Sequence, residues 1–112
     1  MKTRLFFLLV TLTAIWISCR KEEKGSPGPN EVWLEYKAYN PSQLAVDSGA
    51  TVTFINKDNA NHSVTSSSGL FSSGKISKGN SYTYTFNTIG TYYFYCDYHS
   101  TNSAEQGAII VR

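Results

Sequence analysis

The sequence predicts an all-β domain, a Greek-key sandwich or flattened barrel of about eight strands, from Glu31 onward. In this part of the chain, turn signals recur about every eight to twelve residues. Apolar side chains alternate with hydroxyl-bearing ones, and no stretch has the 3.6-residue apolar repeat of a helix. The resulting core is small but large enough for one domain.

Each strand is predicted from its own alternating pattern. The expected strands are residues 32–36, 43–46, 51–55, 81–86, 91–96 and 107–111. In the strand at 91–96, Tyr92, Phe94 and Cys96 share one face, so the sulfur of Cys96 is expected to point into the interior. In the last strand, Ile109 and Val111 share a face for the same reason.

Residues 1–18 are interpreted as the signal peptide of a lipoprotein. Lys2 and Arg4 precede an apolar run over residues 5–17, which is too short for a bilayer core that needs about twenty. Ser18-Cys19 resembles the cleavage site of bacterial lipoproteins, so Cys19 is the expected lipidation site. We expect an exported protein anchored by lipid in the bacterial cell envelope, facing the periplasm or the outer-membrane surface.

Two alternatives exist for the first cysteine. An ordinary signal peptide would leave Cys19 incidental, and a disulfide to Cys96, the only other cysteine, would consume a buried thiolate. We expect no disulfide.

Residues 19–30 are predicted to be a flexible tether, charged at first and then rich in glycine and proline, before a folded domain at residues 31–112. Lys2 and Arg4 account for the formal charge of +2, because eight basic and eight acidic residues remain from Cys19 onward. This balance does not indicate binding to nucleic acid or strong electrostatic steering.

One cysteine and two histidines are the candidate metal ligands. Cys96 and His99 are separated by two residues at the end of a predicted strand, whereas His62 lies on a distant segment. Taken singly, each has a structural explanation, but one thiolate with two imidazoles is the donor set that holds a single redox-active copper. Zinc is the competing metal, and a closed zinc site typically needs a second Cys or His pair, which this sequence lacks.

Several motifs surround these ligands. They include Gly49-Ala50-Thr51-Val52-Thr53-Phe54, Asn56-Lys57-Asp58, His62-Ser63-Val64-Thr65, Tyr95-Cys96-x-x-His99 and Gly107-x-Ile109-x-Val111. Together they resemble the cupredoxins, or small blue copper proteins, of the plastocyanin, pseudoazurin and amicyanin branch, over residues 31–112. The resemblance implies that His62, Cys96 and His99 are the equatorial ligands of one copper ion. It also implies an exposed loop at His99, where electrons enter and leave, and hydrogen bonds to the thiolate near Ser63.

The fourth, axial ligand departs from the pattern of that family. The family usually supplies a methionine just before Gly107, yet the only methionine here is Met1. Glu105 shares parity with Ile109 and Val111, so it is expected at the methionine position, with Gln106 or no axial ligand as alternatives. An oxygen donor is harder than a thioether and favours Cu(II), so we expect a lower reduction potential than in methionine-ligated relatives.

The resemblance implies a one-electron carrier, cycling between Cu(II) and Cu(I), and not an enzyme. The expected partners are redox proteins such as cytochromes or copper oxidoreductases. A monomer would meet them transiently through an apolar surface around His99 that includes Tyr98, Leu70 and Phe71. Two other functions share the sequence features: a lipoprotein that stores, delivers or senses copper, and a metal-free adhesive sandwich.

Overall fold

The structure, a computed structural model, describes residues 25–112. The predicted signal peptide, Cys19 and the first half of the predicted tether lie outside this range. Within it, no helix combines the length and apolar character needed to cross a membrane.

Two four-stranded sheets face each other, which confirms the all-β prediction. The strands of the described residues are β1 (Glu31–Glu35), β2 (Ala38–Asn40), β3 (Gln43–Val46), β4 (Ala50–Asn56), β5 (Thr65–Ser66), β6 (Ser81–Phe86), β7 (Gly90–Tyr95) and β8 (Gln106–Val111). One sheet has the order β2-β1-β4-β6 and the other has the order β3-β8-β7-β5. The chain crosses between the sheets after β2, β3, β4, β5 and β6, whereas β7 and β8 are neighbours in one sheet. Four of the six neighbouring pairs join strands that are not consecutive in sequence.

Most pairs are antiparallel, but β1–β4 and β3–β8 run parallel. The antiparallel pairing of β4 with β6 agrees with the alternating patterns that predicted both strands. The short strands β2 and β5 were not predicted, because three and two residues carry no readable alternation. The predicted first strand ends one residue early, at Glu35, since Lys37 adopts a left-handed turn conformation with a φ of 55°.

The core lies between the inner faces of the sheets. Phe94 packs edge-on against Phe54, with ring centroids 5.4 Å apart, and both side chains are buried. Full burial of a phenylalanine side chain contributes about 1.5–3 kcal/mol. Ile109 and Val111 are buried in the same core, as their shared parity predicts. Because Cys96 follows Phe94 by two residues, the core face of β7 leads directly to the sulfur, which is fully buried.

Candidate metal centre

Four donor residues converge at the end of the sandwich where β7 passes into the loop that leads to β8. They are His62, Cys96, His99 and Glu105, and one ligand atom from each lies within 4.8 Å of all the others. The sulfur of Cys96 is 3.5 Å from Nδ1 of His99 and 3.9 Å from Nδ1 of His62. With metal–ligand bonds of about 2.0–2.3 Å, donor atoms around one four-coordinate ion lie roughly 3–4 Å apart. These two spacings therefore fit a single metal ion.

His62 is delivered by the segment that follows β4. Its backbone forms an isolated antiparallel bridge with Ile76, with hydrogen bonds of 3.1 and 2.8 Å. The buried side chain of Asn56 shapes the loop, donating to the carbonyl oxygens of Ala60 and Ile76 at 2.8 Å each. A polar side chain this deeply buried is stable only when its hydrogen bonds are made, so Asn56 fixes the loop that presents His62.

The outer nitrogen of His62 also has a partner. Nε2 lies 2.8 Å from Oδ2 of Asp58, and donation from Nε2 to this carboxylate leaves Nδ1 as the nitrogen that faces the cluster. The hydrogen bond from His62 is the largest reason why the pKa of Asp58 is held below its ordinary value. Asp58 therefore sets the orientation of the imidazole from outside the cluster.

Cys96 and His99 are joined by a short 3-10 helix, Asp97–His99, which folds the histidine back toward the sulfur as the spacing predicts. The amide of His99 donates to the carbonyl of Cys96 at 3.2 Å. A second 3-10 helix, Ser103–Glu105, brings the chain back, and the amide of Cys96 donates to the carbonyl of Glu105 at 3.2 Å. Residues 96–105, the ligand loop, are thus closed at their base by the backbone hydrogen bond between Cys96 and Glu105.

Ser63, which follows His62, is hydrogen-bonded to Asp97, which follows Cys96, and not to the sulfur. Its hydroxyl oxygen accepts from the amide of Asp97 at 2.8 Å, and its carbonyl accepts from the hydroxyl of Tyr39 at 2.6 Å. Tyr39 is buried, and burial, followed by the nearby charge of Cys96 and Glu105, raises its pKa far above the ordinary value. Tyr39 was not predicted from the sequence, because it lies on the short strand β2 and contacts Ser63 across 24 positions.

Glu105 is fully buried, and Oε1 faces the two imidazoles. It lies 2.9 Å from Nδ1 of His62 and 3.0 Å from Nδ1 of His99. Gln106, the alternative fourth donor, is exposed and lines a separate surface cavity with Tyr93 and Tyr95. A buried carboxylate needs compensating partners: here Oε1 lies beside the two histidines and Oε2 accepts from Nδ2 of Asn102.

The cluster opens to the surface on the side of His99. The side chain of His99 is 38 % exposed. A cleft of about 370 Å³ lies beside it, lined by cluster residues and by Tyr36, Lys37 and Tyr98. Tyr98 is 52 % exposed, as expected for a residue of the surface around His99.

The expectation that Leu70 and Phe71 belong to the same surface is wrong. Leu70 is exposed, but it lines a cavity with Tyr84 and Thr88 beside the turn between β6 and β7, which is the end of β7 opposite Cys96. Phe71 is 5 % exposed, because it packs against Tyr84 and Phe86 in the core. After β5 the chain follows β7 only as far as Ser67, whose amide donates to the carbonyl of Tyr93, and it then turns back so that Ser72 pairs with Thr65. This turn carries Leu70 away from His99.

Comparison with known families agrees with the fold and the cluster. A family model described as a cupredoxin-like domain matches residues 7–111. The chain belongs to the cupredoxin-like family. Cupredoxins bind one copper ion, and the cluster of His62, Cys96 and His99 in this cupredoxin could hold it, since a thiolate with two imidazole nitrogens is a copper donor set.

Solved structures resemble this cupredoxin over most of its length. A purple cupredoxin from Nitrosopumilus maritimus is 25% identical with a TM-score of 0.66, covering 73% of this chain and 98% of that chain. An oxidized amicyanin mutant is 26% identical with a TM-score of 0.69, covering 80% and 87% of the two chains. A Cu(I) amicyanin mutant is 26% identical with a TM-score of 0.67, covering 82% and 87%. A comparison with curated proteins gave no match.

Proposed function

We propose that this cupredoxin is a one-electron carrier of the cell envelope and not an enzyme. The observation that supports this function most directly is the convergence of the buried sulfur of Cys96 with Nδ1 of His62 and Nδ1 of His99. When bound there, copper would supply reversible one-electron oxidation and reduction. The protein would hold the ligands and connect them to the surface.

The ligands are held by contacts that do not involve the metal. The backbone bridge to Ile76 and the Asp58 carboxylate hold His62, while the carbonyl of Glu105 accepts from the amide of Cys96. Ligands fixed in this way change position little between oxidation states, which keeps the reorganisation that accompanies electron transfer small. This rigidity supports a carrier.

Glu105 is proposed as the fourth donor. Its Oε1 lies within 3.0 Å of both ligand histidines, whereas Gln106 faces solvent. An oxygen in the place of a thioether sulfur stabilises Cu(II) relative to Cu(I). Glu105→Met is therefore expected to raise the reduction potential measured by redox titration, and a potential equal to or below that of the wild type would contradict the proposed ligand.

His99 is the proposed port for electrons, since it is the ligand whose side chain reaches solvent. The expected partners are redox proteins such as cytochromes or copper oxidoreductases, which a monomer would meet in weak, short-lived complexes. Tyr98 and Tyr36 flank the cleft beside His99, and at 52 % and 73 % exposure they offer apolar contact area without charge. The proposed docking surface is this tyrosine pair around His99.

The cell-envelope location depends on Cys19, which lies outside the described residues. We infer lipidation there from the sequence resemblance to a lipoprotein cleavage site. Mass spectrometry of the native N-terminus tests this directly: a diacylglycerol-modified Cys19 is expected as the first residue, and an unmodified N-terminus would contradict the anchor.

Electron exchange with a small cytochrome tests the function and the docking surface together. Stopped-flow mixing of the copper-loaded protein with the reduced cytochrome is expected to give rapid oxidation of the haem. Tyr98→Asp should slow this exchange, because it puts a charge next to His99. Leu70→Asp is the matched control, since Leu70 is 50 % exposed but lies at the other end of β7. Equal rates for both variants would place docking elsewhere.

Redox cycling in the presence of a Cu(I) chelator separates a carrier from a copper-delivery protein. A carrier keeps its copper through repeated oxidation and reduction, whereas a delivery protein releases Cu(I) to a competing chelator of moderate affinity. Transfer of copper without electron exchange would favour delivery.

A further inference from the structure

Asn102 lies midway along the ligand loop, between His99 and Glu105, and its backbone serves both residues. Its amide donates to the carbonyl of His99 at 2.9 Å, and its carbonyl accepts from the amide of Glu105 at 2.9 Å. Its side-chain oxygen accepts from the amide of Ala104 at 3.1 Å, which caps the 3-10 helix Ser103–Glu105. These contacts alone would give Asn102 an ordinary structural role in the loop.

The side-chain nitrogen of Asn102 has a different target. Nδ2 donates to Oε2 of Glu105 at 3.2 Å and also reaches the carbonyl of Lys37 at 3.5 Å. Lys37 lies in the turn between β1 and β2, so the side-chain amide contacts the β-sandwich as well as its own loop. Nδ2 is therefore positioned by two acceptors, the carboxylate of Glu105 and the backbone carbonyl of Lys37.

The two oxygens of Glu105 have unlike surroundings. Oε1 lies between the ligand imidazoles, whereas the hydrogen-bond donor to Oε2, among the described residues, is Asn102. Carboxylates bind metal ions through one oxygen or through both. A carboxylate whose second oxygen already accepts a hydrogen bond from a fixed amide offers one oxygen to the metal.

We propose that Asn102 is a positioning residue that holds Oε2 of Glu105, so that the carboxylate presents only Oε1 to the copper site. This inference rests on the proposed role of Glu105 as the fourth donor. Without the amide, Oε2 would be buried without a hydrogen-bond donor, which is unfavourable, and it would turn toward the ion. A second hard oxygen stabilises Cu(II) further, so loss of the amide lowers the reduction potential.

Two substitutions separate this role from helix capping. Asn102→Ser keeps a side-chain oxygen that can cap Ala104 but removes the amide donor, whereas Asn102→Ala removes both. In the full chain loaded with Cu(II), both variants should lower the reduction potential and change the electron paramagnetic resonance spectrum. Asn102→Ala, which also loses the cap, should show a larger fall in melting temperature than Asn102→Ser.

A third variant shows whether Asn102 acts through Glu105. Glu105→Ala should itself change the resonance spectrum, and Asn102→Ser added to Glu105→Ala should then change nothing more. If Asn102→Ser leaves the spectrum and the potential of the wild type unchanged, or raises the potential, Asn102 has no positioning role even though Glu105 remains a ligand. If Glu105→Ala leaves both readouts unchanged, Glu105 is not a donor and the inference falls with it, while copper binding by Cys96 and the histidines still stands.

Discussion

Gly107→Ala tests how tightly the start of β8 is packed beside the ligand loop. A Cβ at this position would lie 2.6 Å from Cζ of Phe94 and 2.6 Å from the carbonyl oxygen of Ser42, so each must move by about 0.8 Å to reach an ordinary contact of 3.4 Å. Neither neighbour moves easily. Phe94 is buried between Tyr39 and Phe54, and the Ser42 carbonyl accepts from the amide of Ala108 at 2.9 Å.

Forcing a methyl group into such a site costs about 1–3 kcal/mol, and we expect the upper end of this range because one neighbour is backbone. A loss of about 3 kcal/mol corresponds to a fall of roughly 12–24 °C in the melting temperature of a domain of this size. Urea unfolding of the copper-free protein, followed by tryptophan fluorescence, measures the free energy of unfolding. The same displacement should move Glu105, two residues earlier.

Gly74→Ala is the matched control. At Gly74 a Cβ meets nothing within 4 Å, and the cost comes only from its left-handed φ of 67°, about 1–2 kcal/mol. Gly107 is outside the left-handed region, so without a clash alanine would be favoured there by roughly 0.5–1 kcal/mol. A Gly107→Ala protein as stable as the wild type, or more stable than Gly74→Ala, would refute the packing argument.

Three further predictions follow from contacts around the site and at the start of β1. Asp58→Ala should weaken copper binding about 10–100-fold in a chelator competition, because it removes the partner of His62 Nε2, and a smaller loss is expected for Asp58→Asn; equal losses would contradict the account. Copper at about 100 times its Kd should stabilise the protein by about 2.7 kcal/mol, and calorimetric melting temperatures that do not differ with and without copper would argue against specific binding. The pKa of Glu31 lies below its ordinary value because the Gly28 amide and the Trp33 indole donate to its carboxylate. Its stabilisation is therefore present at neutral pH and lost as the pH falls through the folded-state pKa. Glu31→Gln should reduce the free energy of unfolding at neutral pH but not in stronger acid, and a deficit that persists in acid would exclude this linkage.

Local pattern was sufficient to predict much of the fold. Alternation located the six longer strands, and parity predicted the buried side chains of Phe94, Cys96 and Ile109. Parity also gave Glu105 as the expected axial residue, with Gln106 or no axial ligand as alternatives, and the side chain of Glu105 lies in the cluster. These features depend on residues within a few positions of one another, so the sequence carries them directly.

Features that depend on distant pairing were not predicted. The parallel pairs β1–β4 and β3–β8 leave no mark in either strand alone. The position of Leu70 depends on how the segment after β5 folds along β7, and the expected contact with His99 was therefore wrong. The side chains that support the ligands were missed for the same reason, since Tyr39 and Asn102 act through contacts made only in the folded chain.

The visible absorption spectrum of the full chain after addition of Cu(II) tests the central claim most directly, with Cys96→Ser measured beside it. The wild-type protein should develop an intense thiolate-to-copper charge-transfer band, and Cys96→Ser should lack it. A colourless wild-type complex, or a Cys96→Ser variant that binds copper equally well with the same spectrum, would contradict the proposal that Cys96, His62 and His99 hold a redox-active copper.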